Sequence, residues 1–159
     1  LDLYTIQKER GWVDGLTVTM MGDLKYGRTV HSLTKLLRLY NTKLRFVSPE
    51  QLRLPPDYLN DGDEQFDDLD EAIEDTDVLY VTRVQKERLS DSIAIDFSYA
   101  VTRDHMNRAK PDMVLMHPLP RVGEIPTELD SDPRSAYFRQ MRYGLHVRMA
   151  LLVSMIGRD

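Results

Sequence analysis

Leu16-Thr17-Val18-Thr19-Met20-Met21 runs directly into Gly22-Asp23-Leu24-Lys25-Tyr26-Gly27-Arg28-Thr29, and this junction decides the fold class. The first six residues are a short apolar run rich in β-formers, which reads as a buried strand ending at Gly22. From Thr29 to Tyr40 the apolar positions Val30, Leu33, Leu36, Leu37 and Leu39 fall at helical spacing. Strand, glycine-bearing loop and helix follow one another with nothing between. The pattern recurs on either side. Residues 2–9 predict a helix closed by Gly11. Leu44–Val47 predicts a strand stopped by Ser48-Pro49, and Asp67–Glu74 a short helix with an acidic start. Val78–Val81 predicts a strand, and Thr102–Ala109 a helix capped by Thr102. Met113–Met116 predicts a strand, and Ser135–Ile156 a long helix with an interruption near Gly144. Strands alternating with helices imply a Rossmann-like three-layer α/β fold with a parallel sheet of four to five strands. The 159 residues make one domain.

Composition narrows the function. With no cysteine there is neither a disulfide, nor a thiolate metal site, nor a thiol nucleophile. No apolar run reaches membrane-spanning length, and the first residues lack the order of a signal peptide. A cytoplasmic location is expected, with no membrane and no nucleic-acid partner. Net charge is −5, but residues 55–77 carry eleven acidic and no basic side chains. The remainder holds 15 acidic and 21 basic residues, a mildly cationic surface suited to anions. The acidic stretch itself reads as a solvated loop and helix start.

In parallel sheets ligands bind beyond the carboxyl ends of the strands, so the loops there carry the chemistry. The loop 22–29 has the spacing G-x-x-x-x-G-R-T, one residue away from a phosphate-binding P-loop. Arg stands where that loop needs Lys, and the two are not interchangeable. A nucleotide hydrolase is therefore disfavoured. The helix start still favours an anion, and Arg28 adds a planar fork matched to a carboxylate. A lone Arg there would read as a surface residue. Arg83, just past the third strand, supplies a second guanidinium in the same crevice, and the two together make a dicarboxylate clamp. Gln85 offers both donor and acceptor. His117-Pro118-Leu119-Pro120-Arg121 follows the fourth strand as a rigid corner. Its two prolines lack N–H groups, which leaves bare carbonyls for a ligand's amine. His117 reads first as a structural histidine at a strand end, and second as a base.

Four stretches together carry a resemblance: GDLKYGRTVHSL (22–33), LYVTRVQKERL (79–89), MHPLPRVGEI (116–125) and DPRSAYFRQ (132–140). They resemble aspartate carbamoyltransferase catalytic chains, in order and over essentially the whole sequence. The resemblance implies carbamoyl transfer from carbamoyl phosphate to L-aspartate in pyrimidine biosynthesis, without a cofactor or a metal. It implies that Arg28, Arg83 and Gln85 hold L-aspartate. Pro118, Leu119 and Pro120 would face the amine and the carbamoyl group, with a cis bond before Pro120. Lys25, Tyr26, Arg121 and Glu124 would act in domain closure. The absence of cysteine separates the chain from ornithine carbamoyltransferases, which resemble H-C-L-P where this chain has His117-Pro118-Leu119-Pro120.

The family's S-T-R-T and H-P-T-Q motifs, which handle carbamoyl phosphate, do not occur here. The resemblance thus covers an aspartate-binding domain. Residues 1–11 correspond to the interdomain helix, and 135–159 to a C-terminal helix that packs on a carbamoyl phosphate-binding domain, the partner in a homotrimeric enzyme. The chain is expected to be inactive alone and to self-associate or to displace its last helix, whose residues from Val147 to Ile156 are apolar around much of the circumference. A non-catalytic binding or assembly module is the second reading. Relative to the family pattern, the stretch 55–66 and the loop after Arg88 are short, and Met141-Arg142-Tyr143-Gly144 replaces the more usual Asn-Gly.

Overall fold

A computed structural model describes residues 1–84 and 99–157. Helix α1 (Asp2–Arg10) ends at Gly11, whose φ of 85° is the left-handed geometry that terminates a helix most cheaply at glycine. Strand β1 (Thr17–Met21) leads to α2 (Arg28–Leu37), then β2 (Lys43–Val47), β3 (Glu64–Phe66) and β4 (Val78–Val81). Helix α3 (Arg103–Arg108), β5 (Val114–Met116) and α4 (Tyr137–Ile156) complete the chain. All neighbouring strands pair parallel, in the order β3-β2-β1-β4-β5. The expected parallel sheet is therefore present, with five strands.

Strands β1, β2, β4 and β5 carry apolar residues on both sides, and alternation divides these between two cores. Val18, Met20, Leu44, Phe46, Val78 and Tyr80 face Ile6 of α1 and Leu33 and Leu37 of α2. Met21, Val47, Leu79, Val81 and Leu115 face Ile73, Met106 and Leu129 on the opposite side. Helices and turns on both faces of one sheet give the three-layer arrangement.

Two expected elements differ. Asp67–Glu74 is not an α-helix but two 3₁₀ turns, Leu69–Glu71 and Ile73–Asp75. The Asp68 carboxylate accepts the Asp70 N–H, a local bond that competes with helical pairing. Helix α4 runs through Gly144 without a break. A Cβ at Gly144 would lie 3.3 Å from the side chain of Leu1, the residue that precedes α1, so the glycine lets the start of the chain lie close rather than ending the helix.

Chain direction reverses across the sheet at one place. From β1 the chain moves outward through β2 to β3, then crosses back to β4 on the other side of β1. The loops leaving β1 and β4 consequently part at their carboxyl ends and open a crevice.

Candidate functional site

A cavity of about 300 Å³ occupies this crevice. It is lined by Asp23, Tyr26, Gly27, Arg28 and Thr29 after β1, Thr82 and Arg83 after β4, and His117, Pro118, Leu119 and Pro120 after β5. The three loops singled out by position thus converge on one site.

Two glycines allow the approach. A Cβ at Gly22 would stand 2.2 Å from the Thr82 carbonyl oxygen, and φ there is 115°. A Cβ at Gly27 would stand 2.4 Å from the Asp23 carbonyl oxygen. Both loops are tied down by backbone bonds. Gly22 donates to the Val47 carbonyl at 3.1 Å, and Thr82 donates to the Met21 carbonyl at 2.8 Å. The buried Asp23 carboxylate accepts the Tyr26 N–H at 2.9 Å, closing the turn that delivers Gly27 to the start of α2. His31 reaches back to the Leu24 carbonyl at 2.9 Å and stacks on Tyr58, which braces the loop from outside.

Helix α2 starts at Gly27 with no side-chain cap, so its first N–H groups and its positive dipole end are directed at the cavity beside Arg28. Arg83 lines the same cavity. One side is therefore rich in donors and positive charge.

The opposite side is its complement. Pro118 and Pro120 have no N–H, and the one N–H between them, on Leu119, donates to His117 Nδ1 at 2.8 Å. The Leu119-Pro120 bond is cis, and Leu119 has a φ of 53°. Among the described residues the carbonyls of Pro118, Leu119 and Pro120 accept no hydrogen bond. The corner offers acceptors and no donor. Guanidinium groups on one side, and on the other carbonyls that pair with none of the described residues, suit a small molecule bearing carboxylates and an amine.

His117 is buried, in keeping with its reading as a structural histidine. Its Nε2 lies 2.8 Å from Glu124 Oε1, and Glu124 Oε2 accepts the Val122 N–H at 2.9 Å. Burial alone would raise the Glu124 carboxyl, but the bonds from His117 and Val122 hold it below the usual carboxylate range. The His117 backbone N–H donates to Gln140 Oε1 at 2.9 Å, and Gln140 Nε2 donates to Asp2 Oδ1 at 2.9 Å. Tyr80 donates its hydroxyl to the other Asp2 oxygen at 3.2 Å. A polar chain thus runs from α1 through α4 to the corner.

The family model for the aspartate/ornithine carbamoyltransferase Asp/Orn binding domain matches residues 14–155. The chain belongs to this family. It is 51% identical over 167 residues to the multifunctional protein CAD of Squalus acanthias, covering 99% of the chain and 7% of that protein. It is 50% identical over 165 residues to the aspartate carbamoyltransferase catalytic subunit of Thermoplasma acidophilum, covering 99% of the chain and 54% of the subunit. The catalytic subunit of M. jannaschii aspartate transcarbamoylase superposes with a TM-score of 0.92 at 44% identity, over 99% of the chain and 56% of that subunit. The chain spans about half the length of the catalytic subunits it matches, and a small fraction of CAD.

In this Asp/Orn-binding domain the expected site residues are distributed as follows. Arg28, Arg83, Tyr26, Pro118, Leu119 and Pro120 all line the cavity. Gln85 lies outside the described residues. Lys25 lines a neighbouring groove of about 430 Å³ with Glu50, Arg53 and Pro55. Arg121 turns inward to a bidentate pair with Asp130 and a 3.0 Å bond to the Tyr137 hydroxyl. Glu124 serves His117. The sequence reading did not single out Asp23, Thr82 or Gln140 as site residues. Asp23 and Thr82 were findable, because they immediately follow strands. Gln140 was not, because its partners are 23 and 138 residues away.

Proposed function

We propose that the chain is the aspartate-binding half of an aspartate carbamoyltransferase. The observation that carries this reading is the division of the cavity into a guanidinium side and a corner with acceptors alone. A phosphate would be well served by the first side and repelled by the second. L-Aspartate satisfies both: Arg28 and Arg83, with Gln85, hold its carboxylates, and the Pro118 and Leu119 carbonyls accept from its amine.

In the reaction the aspartate nitrogen forms a bond to the carbamoyl carbon of carbamoyl phosphate. The bond from that carbon to the phosphate oxygen breaks, phosphate leaves, and the nitrogen gives up a proton. This chain fixes the nucleophile's position and direction, which is the entropic share of catalysis. Polarising the carbonyl and stabilising the departing phosphate is the electrostatic share. That share belongs to a carbamoyl phosphate-binding domain carrying the S-T-R-T and H-P-T-Q motifs. Residues 1–11 and 135–159 are the surfaces that meet it. Lys25, Tyr26, Arg121 and Glu124 act as the two domains close. The complete enzyme is a cytoplasmic homotrimer in pyrimidine biosynthesis.

The reading is tested by assaying carbamoyl aspartate formation by the chain alone, by the carbamoyl phosphate-binding half alone, and by the two mixed. Activity only in the mixture is expected. Turnover by the chain alone, or none in a mixture that forms a complex, would overturn it.

A further inference from the structure

We infer that His117 is a specificity-determining positioning residue, which keeps the corner free of donors by sequestering the Leu119 N–H. The inference rests on the dicarboxylate reading above and deepens it. Since the Leu119 N–H donates to Nδ1 at 2.8 Å, that nitrogen must present a lone pair. The ring proton therefore sits on Nε2, where the Glu124 carboxylate accepts it at 2.8 Å. Both nitrogens are committed, so His117 does not act as the base for the aspartate amine. Its backbone is committed as well, through Gln140.

The consequence falls on the ligand. Residues 118–120 have a single N–H between them. Left free, that donor would face an ammonium or amine with the wrong polarity and would welcome an extra carboxylate oxygen. Tied to His117 it is removed from the cavity, and the Leu119 backbone is held at its φ of 53°, which a leucine rarely adopts. Discrimination between an amino dicarboxylate and a plain dicarboxylate then depends on His117, although the ring makes its own bonds elsewhere.

Two substitutions separate the ring's two roles. His117→Asn puts an amide oxygen near the place of Nδ1 and loses the bond to Glu124. His117→Gln reaches toward Glu124 and loses the acceptor for Leu119. Three readouts apply to the isotopically labelled chain: the imidazole tautomer from nitrogen shifts, the exchange rate of the Leu119 amide, and titrations with L-aspartate and with succinate, which lacks the amine. The wild-type ring is expected as the neutral Nε2–H tautomer, a result that needs no variant. The Leu119 amide should exchange roughly tenfold faster in His117→Gln than in His117→Asn. L-Aspartate affinity should fall roughly tenfold in His117→Gln, with succinate changed less than about twofold and His117→Asn closer to wild type. An Nδ1–H tautomer, equal exchange in the two variants, or equal weakening of both ligands would overturn the inference. If neither ligand bound even with the carbamoyl phosphate-binding half present, the dicarboxylate reading would fall instead, and the tautomer and exchange rates alone would decide what holds Leu119.

Discussion

Arg139 of α4 grips Glu9 of α1 through two parallel hydrogen bonds, Nε to Oε1 at 2.9 Å and Nη2 to Oε2 at 2.7 Å. The Tyr143 hydroxyl adds a third bond to Glu9 at 3.0 Å. The first and last helices are thereby fastened together, 130 residues apart in sequence. A paired fork of this kind contributes more than a single ion pair. Arg139→Ala should cost about 1–2 kcal/mol, nearer the lower figure because the arginine is partly exposed. For a chain of this size Tm should fall by about 2–8 °C. Differential scanning calorimetry checks this, and an unchanged Tm would remove the clasp from the account.

Gly22 brings the end of β1 into close approach with the backbone of Thr82 after β4. Its added Cβ would collide with backbone rather than with a movable side chain, and its φ of 115° disfavours any other residue. Gly22→Ala should destabilise by about 3 kcal/mol or more, combining overpacking with backbone strain. Urea unfolding measures the loss. A soluble, stable variant with wild-type midpoint would contradict the close packing of β1 against β4.

Several carboxylates are held below their ordinary range in the folded chain. For Glu9 burial alone would raise the pKa, but the Arg139 and Tyr143 bonds lower it. For Asp132 the Arg134 side chain is the main cause. Glu124 is held down by His117 and Val122 against its burial. A depressed folded pKa contributes stability that is present above the unfolded value and is lost as pH falls through the folded one. Stability should be level near neutrality and decline once pH drops below about 4–5, where unfolded carboxylates begin to take up protons. Tm measured from pH 7 to pH 3 should show that decline, and Glu9→Gln should make it shallower. A chain whose stability rose toward pH 3 would contradict the sign.

Helix α4 is covered for two turns and bare thereafter. Tyr137, Gln140 and Gly144 are buried, whereas Leu145, Met149, Leu152 and Ile156 are 55–77% exposed. These four lie at intervals of four, three and four residues and so form one apolar stripe. A stripe of that size seeks cover. Sedimentation should show concentration-dependent self-association, reduced in a Leu152→Glu, Ile156→Glu variant. A wild-type chain that stayed monomeric at high concentration would contradict this.

The sequence made α1, β1, α2, β2, β4, α3 and β5 legible because each pairs a clean period with a stop signal. Thr102 is the clearest case: it caps α3 as expected and forms a reciprocal box with His105. Strand β3 was illegible for a physical reason. It is only Glu-Gln-Phe, and polar contacts place it: Arg45 and Lys43 on β2 both reach Glu64 at 2.7 Å. The turns at 69–75 read as helix from the acidic start of Asp67–Glu74, whereas the Asp68 carboxylate accepts from the N–H two residues on. The site was legible in its charged and proline-bearing residues, which follow strands. The bonds that orient it, from Gln140 and Glu124 to His117, depend on distant elements and leave no local signal.

The measurement that tests the central claim most directly is a calorimetric titration of the chain with succinate, repeated for Arg28→Ala and Arg83→Ala. The account predicts saturable binding by the wild-type chain, weakened roughly 10–100-fold by either substitution, the loss expected when a charge-assisted carboxylate contact is removed. Binding left unchanged by both substitutions, or absent from the wild-type chain even when mixed with its carbamoyl phosphate-binding partner, would contradict a dicarboxylate clamp in this crevice.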